Sequence, residues 1–311
     1  MTKKSDSIKD YVFLFLKGAG MGAADVVPGV SGGTIAFITG IYTRFLAAIK
    51  SVNLEALRLL RKSGCKASWQ YIDGTFLLTV FAGLITSAVS LAKVITYLLA
   101  NHQLLVWSFF FGLILASFIY IAKQIEQWRL HTMISCLIGV VIAYVITSLA
   151  PAEAEPHTWL YFVSGAIAIC AMILPGISGS FILLLLGMYS HVLTAITDKE
   201  LSLIALFLLG CVVGLMLFSR FLSWLLNQYQ QITFALLAGF LLGSLNLLWP
   251  WKLVVSTYVS SSGVEKPLMQ KNILPAEYAN LVGHDPQTLL CIGLALFGLL
   301  LILGIEKLSA K

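Results

Sequence analysis

Two short stretches rich in serine and glycine interrupt long apolar runs and could bind an anion. The first, at residues 25–34, reads DVVPGVSGGT, and the second, at residues 174–180, reads LPGISGS. In each, the proline tends to end the preceding helix and the glycines let the chain turn. Ser31 and Ser178 then stand where a new helix would begin and are suitable N-caps. Because free N–H groups at helix starts attract anions, the pattern predicts two broken helices that offer an anion site.

The candidate binding groups are hydroxyls and flexible backbone at these breaks. They are Ser31, Gly32, Gly33, Thr34, Ser178, Gly179 and Ser180. Small residues could instead serve only close helix packing in lipid. Two breaks in matching positions of two halves favour the binding interpretation, as in transporters built from repeats.

Three charged residues within or beside apolar segments complete the candidate site. Lys93 and Arg220 lie inside predicted spans, each about two turns from a helix end. They could receive an anion from opposite sides of the membrane, or merely extend towards lipid headgroups. Asp25 precedes the first break, and its counterpart in the second half is Met172. It could brace the unwound backbone, pair with a lysine, or titrate during transport.

Composition places these residues in a polytopic membrane protein. The 311 residues are 59% hydrophobic and 11% charged, with a mean hydropathy of +0.92. Ordinary spans are predicted near residues 75–100, 104–122, 132–150, 203–227, 233–249 and 287–305. The net charge of +6 lies mostly in loops and reports membrane orientation, so no nucleic-acid partner is predicted. The five cysteines lack metal-ligand spacing, and neither a metal site, a catalytic group nor a cofactor is predicted.

An internal repeat organises these spans. At an offset of 147, Gly18 and Tyr42 match Gly165 and Tyr189, as Ser31 matches Ser178. At an offset of 127, Gly83, Lys93 and Gly112 match Gly210, Arg220 and Gly239. Each half contains a broken-helix or re-entrant hairpin followed by three transmembrane helices. The predicted fold is therefore all-α, with repeats at 1–151 and 152–311 that are inverted in the membrane because each half crosses an odd number of times.

Loop charges predict the orientation of this arrangement. Lys3 and Lys4 and the basic stretch at 50–66 are expected in the cytoplasm, whereas residues 151–156 lack Lys and Arg and are expected outside. Continuing the count makes 250–286 an external loop and returns the C-terminus to the cytoplasm. The three lysines of that loop weigh mildly against its placement.

Together the two motifs resemble the PopT family of bacterial polyprenyl-phosphate transporters. The likeness rests on ADVVPGVSGGTIAF at 24–37 and LPGISGS at 174–180, and it continues through GIY at 40–42 and GMY at 187–189. The resemblance implies a flippase in the bacterial cytoplasmic membrane. Its substrate would be undecaprenyl phosphate, returned from the outer to the inner leaflet for peptidoglycan and other cell-envelope synthesis. The implied partners are this lipid and the membrane, and the oligomeric state is not predicted.

Two other functions are compatible with some of these features. A small-anion channel or exchanger could also use helix N-termini in broken helices. A membrane undecaprenyl-diphosphate phosphatase would need a nucleophile or metal beside an acid–base group. The motifs contain no Arg, Glu or His, and so the sequence predicts a transporter and not an enzyme.

Overall fold

The computed structural model describes residues 7–27, 29–152, 157–259 and 265–309. Several residues used in the sequence analysis lie outside this description: Lys3, Lys4, Pro28 and residues 153–156. The placement of both termini in the cytoplasm therefore stays a prediction.

Among the described residues, seven helices form the first half of the chain, and seven more form the second together with two antiparallel strands. The first set is α1 (Ile8–Asp25), α2 (Gly32–Ile38), α3 (Tyr42–Ser51), α4 (Leu54–Tyr71), α5 (Gly74–Asn101), α6 (Gln103–Lys123) and α7 (Leu130–Ser148). The second set is α8 (Thr158–Ile173), α9 (Gly179–Leu185), α10 (Tyr189–Thr197), α11 (Leu201–Gln228), α12 (Gln230–Leu248), β1 (Lys252–Val259), β2 (Glu265–Asn272), α13 (Pro275–Val282) and α14 (Thr288–Ser309).

The predicted all-α membrane fold is confirmed. Helices α5, α6, α7, α11 and α12 are long and apolar enough to cross a bilayer, and α14 supplies a shorter apolar helix. These helices lie where the six ordinary spans were predicted. Within the described residues the exception to the helical fold is the antiparallel pair β1–β2.

Both broken segments contain a second bend that the sequence analysis did not predict. Helices α2 and α3 meet at 117°, and α9 and α10 meet at 107°. Residues 31–49 and 178–197, which follow the two breaks, therefore each contain two helices and not one. Gly40 and Gly187 sit at the bends with φ of +73° and +68°, a left-handed conformation that glycine adopts without steric cost. Each half thus begins with a long helix followed by two short, sharply angled ones.

The basic stretch after the first motif is helical. Asn53 caps α4, because its side-chain oxygen accepts hydrogen bonds from the Glu55 and Ala56 N–H groups at 2.9 and 3.1 Å. A left-handed residue, Gly64, kinks the helix in its middle. The predicted loop is consequently a bent amphipathic helix between α3 and α5.

Close glycine contacts repeat in the two halves. A Cβ added at Gly18 would lie 2.2 Å from the Val80 carbonyl oxygen, and one at Gly165 would lie 2.4 Å from that of Phe207. These pairs join α1 to α5 and α8 to α11 at both offsets found in the sequence. Backbones that approach this closely require glycine, as in other membrane helix pairs. Helix order and helix packing therefore recur along the chain.

The last two spans of each half pack on the last two spans of the other half. Helix α6 packs on α14, and α7 packs on α12. The equivalent helices α6 and α12 also contact each other and run antiparallel: the Glu126 N–H donates to Gln231 Oε1 at 2.9 Å, while Phe111 packs on Trp249 at the other end. Antiparallel equivalents are what inverted repeats require. The inversion within a membrane, and the division at 151/152, stay predictions.

In the predicted external loop at 250–286, the described residues 250–259 and 265–286 form a folded cap on the helix ends. The indole N–H groups of Trp249 and Trp251 donate to the carbonyls of Ile273 and Pro286 at 2.8 and 2.9 Å. The Lys252 ammonium lies 4.5 Å from the Trp107 ring centre and donates to the Leu247 carbonyl. Burial lowers the pKa of Lys252 to about 8. Because this lysine has a structural role, its charge says little about which side of the membrane the loop occupies.

Candidate functional site at the helix breaks

The two breaks contact each other in the buried interior. The Ser31 hydroxyl donates to the Met172 carbonyl at 2.9 Å, and the Gly176 N–H donates to Thr34 Oγ1 at 3.0 Å. Tyr42 adds a third link, since its hydroxyl donates to the Ile173 carbonyl at 3.1 Å. Ser31 and Thr34 are fully buried. The predicted site residues of the first motif thus meet the backbone of the second motif.

The backbone donors at the start of α2 are already satisfied. The Gly32 N–H donates to Asp25 Oδ1 at 2.6 Å, and the Gly33 N–H donates to the Ser31 hydroxyl at 3.1 Å. The Thr34 N–H donates to the Ser31 carbonyl at 2.9 Å. In this conformation an anion would have to displace these acceptors to reach the helix start.

Asp25 braces the unwound backbone of the first break, one of the roles considered for it. One carboxylate oxygen caps α2 through Gly32, and the other, Oδ2, is buried without a hydrogen-bond partner among the described residues. The close fit extends to Gly32 itself, where an added Cβ would lie 2.6 Å from Oδ2. Titration of Asp25 during transport stays an alternative to this bracing role.

The second break differs from the first. Ser178 occupies the N-cap position of α9, but its side chain makes no capping hydrogen bond. The expectation that it caps the helix is wrong, because its hydroxyl lies 2.8 Å from the Ser180 hydroxyl and pairs with it instead. Ser180 is partly exposed, unlike the hydroxyls of the first break. Gly179 is held tightly, since an added Cβ would lie 2.7 Å from the Ala168 carbonyl oxygen.

Lys93 and Arg220 are not brought to the breaks in this conformation. Both are exposed, on α5 and α11, and neither forms a hydrogen bond or ion pair with another described residue. Their correspondence is retained, because each lies eight residues before the end of a 28-residue helix. Their role as anion ligands stays a prediction.

Sequence reasoning missed the role of Lys17. Its ammonium donates to the Thr39 carbonyl at 2.8 Å and so neutralises the C-terminal end of α2. The positive-inside pattern treats a lysine this close to the N-terminus as a marker of orientation, which conceals such a role. Its position two turns before Asp25 on the same helix was the available signal.

A second missed contact holds α3, the helix that follows the bend. Arg44 Nε donates to Asp73 Oδ2 at 2.8 Å, and its guanidinium lies 4.3 Å from the Phe76 ring centre. The pair joins α3 to the start of α5. The first bent segment, α2–α3, is thereby held on both sides of its bend at Gly40.

The Thr34→Val substitution tests the contact between the breaks. Valine keeps the shape of threonine but removes the acceptor for the buried Gly176 N–H, which typically costs about 1–3 kcal/mol. We expect a lower midpoint of thermal unfolding in detergent. Thr86→Val, at an exposed position of α5, serves as the control and is expected to have little effect. Equal unfolding midpoints for the two variants would contradict a structural contact between the breaks.

Most of the chain, including both motifs, matches a known protein family. A family model described as undecaprenyl phosphate translocase-like matches residues 21–266, a range that contains both breaks. The chain belongs to this family. The resemblance found in the motifs is confirmed.

This translocase-like chain also has similar relatives among known proteins. It is 49% identical over 302 residues to the polyprenyl-phosphate transporter of Vibrio cholerae serotype O1, covering 97% of this chain and 98% of the relative. It is 34% identical over 255 residues to the polyprenyl-phosphate transporter of Staphylococcus aureus, covering 76% of this chain and 85% of that relative. No solved structure matches. Family and helices together make it a multi-pass membrane protein.

Proposed function

We propose that the protein transports polyprenyl phosphate, specifically undecaprenyl phosphate, from the outer to the inner leaflet of the bacterial cytoplasmic membrane. The observation that carries this proposal is the similarity, over almost the full length, to a relative named polyprenyl-phosphate transporter. The two bent segments that meet inside an otherwise regular helix bundle support it. Such discontinuous helices form the substrate sites of many transporters.

The proposed phosphate contacts are divided between the two breaks. Ser178 and Ser180 present hydroxyls that pair with each other and with no other described residue, and a phosphate could take either as a donor. Ser31, Gly32, Gly33 and Thr34 are occupied by contacts within the protein. They become ligands when the breaks separate, so that phosphate oxygens replace the Met172 carbonyl and the Asp25 carboxylate as acceptors.

Lys93 and Arg220 are proposed to guide the headgroup on opposite sides. In the predicted inverted arrangement, Lys93 lies towards the outer leaflet and Arg220 towards the inner one. Both are exposed, and their charges are not neutralised by a described partner. An anionic headgroup entering from the bilayer would therefore be attracted to either residue.

Leaflet-resolved translocation in proteoliposomes tests the transport function. We expect purified protein to move a labelled polyprenyl phosphate between leaflets faster than protein-free vesicles do, with and without an imposed proton gradient. Chloride and inorganic phosphate should not inhibit lipid transport at a concentration equal to that at which the lipid saturates transport. A small-anion exchanger would be inhibited. Release of inorganic phosphate from a labelled lipid diphosphate would instead reveal a phosphatase. Translocation equal to that of empty vesicles would refute the proposal.

The same assay tests the separate roles of Lys93 and Arg220. Lys93→Gln is expected to impair capture from the outer leaflet, and Arg220→Gln is expected to impair handling at the inner one. A lost charge-assisted hydrogen bond typically lowers affinity by about tenfold or more. Lys62→Gln, at an exposed position of α4, is the matched control. Normal transport by both span variants, per amount of folded protein, would remove these residues from the site.

A further inference from the structure

A polar pocket lies apart from the helix breaks, between α3, α11 and the two ends of α4, where Asn53 and Tyr71 line it. Its volume is about 340 Å³, at the lower end of the range for ligand sites. That size suits a compact headgroup better than a long isoprenoid tail. Seven residues supply its polar lining: Thr43, Lys50, Ser51, Asn53, Tyr71, Ser223 and Asn227.

The pocket offers donors suited to an anion. Lys50 supplies a positive charge, and none of the described residues that line the pocket is acidic. Ser223 is buried, yet its hydroxyl has no hydrogen bond to another described residue, and the same holds for the Asn227 side chain. Side chains that carry an ammonium, a hydroxyl and an amide N–H₂ therefore line one pocket, and none of the three is hydrogen-bonded to another described residue. A phosphate monoester, with several strong acceptor oxygens, satisfies all three.

Arg220 extends this cationic surface. It precedes Ser223 by three residues and Asn227 by seven, a spacing that places all three on one face of α11. Arg220 is exposed and lies one turn from the pocket. An anion approaching along α11 from within the membrane would meet Arg220 first and then Lys50.

The internal repeat shows that the pocket is not duplicated. At the two offsets, Lys50 corresponds to Thr197, Ser51 to Asp198 and Asn227 to Ala100. The related position thus loses the pocket cation and an amide and gains a carboxylate, which is followed by Lys199 and Glu200. Packing differs as well: α3 packs across on α11 of the other half, whereas α10 packs on α9 and α11 of its own half.

We infer that the pocket between α3 and α11 binds a phosphate monoester on the side of the membrane that carries the basic helix α4. This inference rests on the proposed function for its biological meaning, because it makes the pocket the place where the lipid headgroup is held before it enters the inner leaflet. Because the repeat equivalent of this pocket lacks the lysine and the amide, the two faces of the transporter have different affinities for the phosphate headgroup.

Equilibrium binding to the purified full-length chain in detergent tests the inference. The probes are geranylgeranyl phosphate, geranylgeraniol and inorganic phosphate. We expect Lys50→Gln to weaken binding of geranylgeranyl phosphate about tenfold or more and to leave binding of the alcohol unchanged. Asn227→Leu, which removes a donor but no charge, should also weaken phosphate binding. Lys62→Gln, an exposed lysine of α4 outside the pocket, should bind like the unmodified protein.

The arms of this experiment separate its possible results. Tighter Lys50-dependent binding of the lipid phosphate than of inorganic phosphate supports a headgroup site, and equal binding supports a site for free phosphate. Unchanged phosphate binding in both Lys50→Gln and Asn227→Leu, with gel-filtration profiles of folded protein, overturns the pocket. That result leaves the proposed function intact if the unmodified protein still translocates lipid. Conversely, absent translocation with Lys50-dependent binding refutes the transport function and not the pocket.

Discussion

The Gly112→Ala variant is expected to unfold at a markedly lower temperature than the unmodified protein. A Cβ at this position would lie 1.8 Å from the Ala295 carbonyl oxygen, which belongs to the backbone of α14 and cannot move aside alone. Helices α6 and α14 would have to separate along their length. We expect a loss of about 3 kcal/mol or more in unfolding free energy, at the upper end of the effects of overpacking.

A second glycine in the same helix pair provides the control. An added Cβ at Gly293 of α14 would meet no atom within 4 Å, so Gly293→Ala should be neutral or stabilise the helix by about 0.5–1 kcal/mol. Gly239→Ala, the repeat equivalent of Gly112→Ala, should behave like it because its Cβ would lie 2.1 Å from the Cys136 carbonyl oxygen. Thermal unfolding of the three variants in detergent checks this. Similar midpoints for Gly112→Ala and Gly293→Ala would show that the helix contact is not as close as described.

Replacement of Asp25 by alanine is expected to cost both stability and transport, whereas Asp25→Asn should largely retain both. Alanine leaves the Gly32 N–H without its acceptor in a buried site, at a typical cost of about 1–3 kcal/mol. Asparagine keeps a side-chain oxygen for that N–H and is itself a good capping residue. Unfolding midpoints and proteoliposome transport measured on the same preparations test both halves of the expectation.

The asparagine variant also separates the two roles considered for Asp25. If bracing of α2 is its whole contribution, the uncharged amide is sufficient and transport continues. Folded Asp25→Asn protein that fails to transport would contradict this expectation and would point to a titrating carboxylate. The matched substitution at Met172, its repeat counterpart, is uninformative because that residue contributes a backbone carbonyl.

Local chemistry made the spans and the first bend of each half predictable. Apolar runs of sufficient length specify membrane helices, and the glycines and serines at residues 29–33 and 176–180 place the breaks. The repeat followed from matching residues at two offsets, and Gly18 and Gly165 lie in equivalent contacts. The second bends were less evident, although Gly40 and Gly187 stood in the matching GIY and GMY sequences. One glycine in an apolar run does not reveal its φ angle.

The contacts between the breaks could not be predicted from the sequence, because they depend on how distant helices pack. The Thr34 hydroxyl accepts a hydrogen bond from the Gly176 N–H, 142 positions away in the sequence. Ser178 failed as a cap because a neighbouring hydroxyl, Ser180, competes for it. Lys17 likewise found its partner, Thr39, through the fold-back of α2 onto α1. In each case the residue type indicated a group that forms hydrogen bonds, but the sequence did not indicate which group would be its partner.

The exchanged pairing of α6 with α14 has a consequence for biosynthesis. Gly112 is synthesised well before Ala295, and at about 5–20 residues per second the interval is roughly 10–40 s. During that time α6 can enter the bilayer, but the backbone groove at Gly112 has no helix to fill it. Membrane insertion and completion of the fold are thus separate events in this protein, and the second waits for a helix from the far end of the described chain.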